Sequence, residues 1–257
     1  MVTVAPTLET MAEIYQLGRS GGAKSPRFAA YRARAEHEWG LAGYNPMAGQ
    51  HALDTVQQLA AFDAESLAGE SALAVLEQCE FPGDVTLAIV VASPGMWTDR
   101  LATEVRHRTS ASRRAGHGEI LLWTGEALDA GLVLREAAAE TVRVMWTTLH
   151  GAADTLGALL AREGLAYALA FNPYGPRSPL DNARVAEGIT VLGDTSTLGD
   201  IVAVLYGDAA ATCLGVTTLG LAEYAGYRWA IARAAAVIDL AGPGEALRRM
   251  EHRGGPF

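Results

Sequence analysis

Lysine is almost missing from this chain: Lys24 is the only one in 257 residues, against 19 arginines. A Schiff base to pyridoxal phosphate or to a carbonyl substrate would have to form on it. Lys24 sits in GRSGGAKSP, a Gly- and Ser-rich loop with no apolar pocket in its sequence surroundings, so lysine-based covalent catalysis is not expected. Cysteine is nearly as scarce. Cys79 and Cys213 could form one disulfide at most and no cysteine-rich metal site, and they read as two buried free thiols. Positive charge is in deficit too. A net charge of −9 offers no broad basic face for phosphate neutralisation, so nucleic acid is not an expected partner.

Half the residues are apolar, enough for one large core, yet no stretch of about 18 uncharged apolar residues could span a membrane. The opening MVTVAPTLETMAEIYQLG has neither the basic nor the apolar part of a secretory signal. The expected location is the cytoplasm, without membrane contact.

Chemical signatures are missing as well. The segment from Gly215 to Gly220 has phosphate-loop spacing but continues into Leu221, without the lysine that reaches the phosphates. No G-x-G-x-x-G follows a strand, and there is no G-x-S-x-G or H-E-x-x-H. His51 with Asp54, and His150 with Asp154, have spacings that could give two metal ligands, but nothing supplies a third. Neither a cofactor nor a metal is therefore expected.

What is present points to an α/β fold. Residues 1–80 read as a helical N-terminal segment, with Ser25-Pro26 and Asn45-Pro46 as N-cap plus N1-proline starts. Residues 81–257 read as an α/β core with C-terminal helices, the two parts making one compact domain. VTLAIVVA, after Pro82-Gly83-Asp84, is the continuous apolar run of a strand buried on both faces. GEILLWTG (118–125) reads as a second strand. A long helical stretch follows, and residues 166–171 read either as a third strand or as an extension of that helix. GITVL (188–192) reads as a further strand, and Thr197 with Asp200 as a capping box opening the next helix. The expectation is a small, mostly parallel sheet of three or four strands flanked by many helices, in an atypical arrangement.

Ligands of parallel α/β folds sit beyond the carboxyl ends of strands. Those positions hold Ser93, Trp97, Thr98, Asp99 and Arg100; Thr124 and Glu126; Asn172, Tyr174 and Arg177; and Asp194, Thr195 and Ser196. The Ser, Thr, Asp and Asn side chains are also the usual helix caps. The arginines and aromatics are less readily explained that way and could line a pocket for a small anion.

A second set lies on one stripe of the long helix: Glu136, Glu140, Arg143, Thr147 and His150, at spacings of four, three, four and three. It reads as a solvated face, or as a charged stripe on a cavity where a partly buried glutamate becomes a base. Residues 100–118 carry five arginines and one glutamate, a local +4 that leaves −13 on the rest. Glu104 and Arg108 form a favourable i,i+4 pair. The basic part, 106–118, reads as plain surface, a lid, or a docking site for an acidic protein.

These features suggest a cofactor-independent enzyme of small-molecule metabolism, including tailoring steps of secondary metabolism. Its substrate would be small and anionic, or presented on an acidic carrier protein. Asp99, Glu126 and Glu136 are the candidate bases for proton abstraction, elimination or intramolecular displacement. Arg100, Arg143 and Arg177 would hold the anion, with Trp97, Thr98, Asn172 and Tyr174 as further substrate contacts. The competing expectation is a non-catalytic scaffold subunit, its basic segment engaging an acidic partner and its Tyr- and Ala-rich C-terminal helices forming an oligomer interface.

Overall fold

The computed structural model describes residues 1–18, 24–41, 45–93, 100–109, 114–171 and 179–250. Three strands form one parallel sheet in the order β1 (Val2–Ala5), β2 (Val85–Ala92), β3 (His117–Trp123). Val2 is opposite Val85, and Thr86 is opposite His117, so β2 is central. Its side chains are buried at every position but Thr86, as expected for a strand covered on both faces. The fold is α/β, a small parallel sheet flanked by many helices.

Between β1 and β2 run α1 (Thr7–Gln16), α2 (Pro26–Ala35), α3 (Gln50–Ala61) and α4 (Ala64–Gln78). Then α5 (Arg100–Thr109) joins β2 to β3, and α6 (Ala130–His150) and α7 (Leu156–Ala170) follow. The C-terminal part is α8 (Pro179–Leu192), α9 (Leu198–Leu205), α10 (Asp208–Cys213), α11 (Ala225–Ala241) and α12 (Pro243–Arg249). Helix α4 runs along β1 and α6 along β3, and the two pack on each other; α11 packs closely on α7. A continuous apolar cluster reaches from Leu8 to Met250. No helix among the described residues is long and apolar enough to cross a membrane.

Three expectations need correction, and one open alternative is decided. The N-terminal segment is not wholly helical, because VTVA forms the edge strand β1; four residues before Pro6 are too short for a clear period. Residues 166–171 are not a strand: through Ala170 they complete α7, where Ala and Leu favour the helix. Residues 188–192 end α8, packing Ile189 and Leu192 on the core, so tertiary contacts override their β-branched content. The long helical stretch is two helices, broken at Gly151 (φ +85) and restarted by Thr155, whose hydroxyl accepts the Ala158 N–H.

The N-terminal signals divide. Ser25 caps α2 through the Phe28 N–H at 3.1 Å, with Pro26 at the first position. Asn45 instead accepts the Met47 N–H in a turn, and α3 begins only at Gln50. Thr197 makes no side-chain cap bond; Thr195 donates to Asp200 and accepts from Thr197 N–H in its place.

The two thiols are free, but only Cys79 is buried; Cys213 is exposed. Burial pushes the Cys79 thiol up to about 11, against the opposing pull of Arg248. The native chain should therefore take up one equivalent of a thiol reagent at Cys213, and Cys79 should react only on unfolding. Peptide mapping after alkylation reads this directly, and rapid native labelling of Cys79 would contradict its placement.

Candidate functional site

Helix α5 presents Arg100, Glu104 and Arg108 four residues apart, on one stripe. Opposite it stand Leu121–Trp123 of β3, Glu126 just beyond the strand, Leu132 and Glu136 of α6, Tyr167 of α7 and Tyr224 before α11. Together they enclose a cavity of about 250 Å³. The placement follows from the topology: α5 returns from the end of β2 to the start of β3, and α6 then packs along β3.

Arg100 holds the mouth together. Its Nε donates to Glu104 at 3.0 Å, its Nη2 donates to Glu126, and its guanidinium lies 5.2 Å from the Trp123 ring centroid. Burial opposes its charge, but the two carboxylates outweigh it and raise its pKa. Glu104 thus pairs with Arg100 rather than with Arg108.

Arg108 is differently placed. Its nitrogens stand 3.7 Å from Glu136 and 3.7 Å from Glu163, beyond hydrogen-bonding distance, and its guanidinium lies 5.5 Å from the Tyr167 ring centroid. Burial works against its charge, yet Tyr167, Glu163 and Glu136 keep its pKa well above the ordinary value. Among the described residues it is the arginine of this cavity whose guanidinium makes no hydrogen bond.

Behind the cavity wall lies a buried ionic layer. Glu163, fully buried, accepts from Arg143 Nε at 3.0 Å and from Arg162 Nε at 3.0 Å. Arg143 Nη1 donates to Glu140 at 3.2 Å, and the Glu140 carboxylate accepts the Glu119 N–H of β3. Arg162 also donates to the Arg108 carbonyl, tying α7 to the end of α5. Arg108, Arg143 and Arg162 face Glu136, Glu140 and Glu163, three charges of each sign.

Tyr167 closes this layer under both the Arg108 and Arg143 guanidinium groups. Burial raises its pKa despite those two arginines. Tyr227 packs edge-on against Tyr167 and donates to the Tyr206 hydroxyl at 3.1 Å. Burial raises the Tyr206 pKa as well, against the Arg108 charge and the Tyr227 hydrogen bond.

Of the residues nominated from sequence, Arg100, Glu126 and Glu136 meet in the cavity. Arg143 does not line it; its guanidinium is committed to Glu140 and Glu163 behind the wall. Trp97, Thr98, Asp99, Asn172, Tyr174 and Arg177 lie outside the described residues. The α6 stripe is not a solvated face: Glu140, Arg143 and Thr147 are buried, and His150 bonds the Leu247 carbonyl at 2.8 Å.

Within the basic segment, Arg106 and Arg114 are exposed while Arg108 turns inward. Sequence reasoning missed Arg108, Tyr167, Tyr224 and the Arg162–Glu163 pair. The signal for that pair was a charged dipeptide amid ALLAREGLAYALA, since charges in a helix apolar all round must be paired.

The two-ligand spacings do not build a metal site. Asp54 accepts from Gln50 at 3.0 Å, and His51 faces Ser93 instead. Among the described residues no three His, Cys, Asp or Glu side chains are grouped to hold an ion. Lys24 is exposed and does not line the cavity. Compared with known proteins, the chain matches no family model, no curated protein and no solved structure.

Proposed function

We propose that this chain is a cytoplasmic, cofactor-independent enzyme that binds a small anionic substrate in the α5–β3–α6 cavity and moves a proton on it. Arg108 holds the anion, and Glu136, with Glu126 across the cavity, supplies the base. The observation that carries this reading is the Arg108 guanidinium, which lines the cavity yet stands 3.7 Å from each neighbouring carboxylate. A carboxylate or phosphate can take a bidentate bond there without breaking one already made.

Engaging Arg108 would also draw it away from Glu136, leaving that carboxylate to face the substrate. Anion binding and placement of the base are thereby coupled. Trp123, Tyr167 and Tyr224 supply flat apolar walls that suit a planar body next to the anionic group. The chemistry fits proton abstraction or elimination, which needs positioned acid and base groups and no lysine adduct. The free state of both thiols suits a reducing compartment.

The reading is tested by incubating the chain with a small-metabolite extract and following consumed and formed compounds by mass spectrometry. Wild type should convert an acidic compound, and E136Q should lower the rate by about 100-fold or more, the scale of a positioned proton-transfer group. R108A should raise the substrate concentration needed for half-maximal rate. Equal conversion by all three chains would contradict the assignment.

A further inference from the structure

A second cluster of reactive groups lies at the carboxyl end of the central strand. Ser93 follows directly on β2 and is largely buried, and its Oγ lies 2.7 Å from Nε2 of His51, in the first turn of α3. These residues are 42 apart in sequence and belong to different elements, so the contact is not a local turn or cap. Among the described residues, the bonds that fix α3 at this end do not use the imidazole. Asp54 is engaged by Gln50, and the His51 carbonyl accepts the Thr55 hydroxyl.

The ring is held by shape. A Cβ on Gly49 would stand 2.8 Å from its Nδ1 and 2.9 Å from its Cε1, so the imidazole rests on the bare α-carbon of the N-cap residue. Gly49 has φ −74 and ψ −174, open to any residue, so what its missing side chain provides there is room for the ring.

We infer that Ser93 and His51 form a nucleophile–base pair that accepts an acyl group from an ester or thioester. With Nε2 in the acceptor tautomer, His51 takes the Ser93 hydroxyl proton as Oγ bonds to the acyl carbon. The carbon–oxygen or carbon–sulfur bond to the leaving group breaks, and that group departs with the proton from His51. An ester on Ser93 remains. Water then adds to the same carbon, its proton passing through His51 to Oγ as the acid is released. His51 is exposed while Ser93 is largely buried, so an acyl donor would approach the pair from the His51 side. This pair is independent of Arg108 and Glu136, and neither reading depends on the other.

The test uses the full chain with a fluorophosphonate probe, which bonds irreversibly to activated serine hydroxyls, and with p-nitrophenyl acetate as acyl donor. Tandem mass spectrometry should find the probe on Ser93, labelled at least about 100-fold faster in the native chain than in the urea-unfolded one. S93A should abolish labelling and acetate release, and H51A should slow both by about 100-fold. G49A should slow labelling by about 10-fold, because it displaces the ring. Labelling of Ser93 no faster in the native than in the unfolded chain would overturn the inference, and so would wild-type rates in H51A. The native-against-unfolded comparison needs no variant, so it decides the matter even if a substitution prevents folding.

Discussion

Replacing Glu163 by alanine is expected to destabilise the chain by about 3–5 kcal/mol, the cost of breaking a buried ion pair from one side. Glu163 has no solvent exposure, and its carboxylate is the point where Arg143 and Arg162 converge, with Arg108 3.7 Å away. Its removal takes from Arg143 and Arg162 the carboxylate that they share. For a chain of this size each kcal/mol shifts the thermal midpoint by about 2–4 °C, so a fall on the order of 10 °C is expected. Calorimetry of E163A checks it, and E163Q separates charge from shape. The amide retains an acceptor oxygen for one arginine but loses the charge, and should fall between E163A and wild type.

The neighbouring residue gives the second large effect. Gly164 lies where α7 crosses α11, and a Cβ there would stand 2.6 Å from the Ala230 carbonyl oxygen and 3.1 Å from the Ala230 Cβ. The obstacle is backbone in the middle of a 17-residue helix, so it cannot turn aside as a side-chain tip can. Gly164 has ordinary helical geometry, and its smallness, not its conformational freedom, is what the packing needs. Gly164→Val should push α11 from α7 and cost about 2–3 kcal/mol or more through overpacking. Because Tyr167 and Arg162 ride on the same helix, the substitution should also alter the floor of the cavity. Thermal unfolding reads the first effect, and near-ultraviolet dichroism of the Tyr167, Tyr206 and Tyr227 cluster reads the second.

The contrast between these residues and their sequence surroundings shows what was legible in the chain. VTLAIVVA announces a doubly buried strand, because an uninterrupted β-branched run has nowhere else to go. The convergence of Arg100, Glu126 and Glu136 was accessible in part, since the first two lie beyond the ends of adjacent parallel strands.

Arg108 and Glu163 were not legible in the same way. Arg108 sits in a run of basic residues that reads as surface, and its inward turn depends on contacts with Tyr167 and Arg162 of α7. Arg143 was assigned to the correct helix stripe but to the wrong side of the wall. Spacing places a residue on a face without saying which neighbour covers it. GITVL and AYALAF show the same limit for secondary structure, because packing against α9, α11 and the core decides short apolar segments.

The balanced layer of three arginines and three glutamates fixes the rear of the cavity, and α5, α6 and α7 all contribute to it. Arg108 is held by Coulomb attraction from two carboxylates and by an aromatic face rather than by bonds, which keeps its donors available.

The most direct measurement is isothermal titration of the wild-type chain, R108A and R100A with benzoate, and with inorganic phosphate as a tetrahedral anion. Wild type should bind at least one of the two, with benzoate favoured by the Trp123 and Tyr167 walls. R108A should weaken that binding by about 10- to 100-fold, the worth of hydrogen bonds to a charged group. R100A should have a smaller effect, since that guanidinium is already taken up by Glu104 and Glu126. Binding by R108A equal to wild type, or no binding of either anion by wild type, would contradict the account.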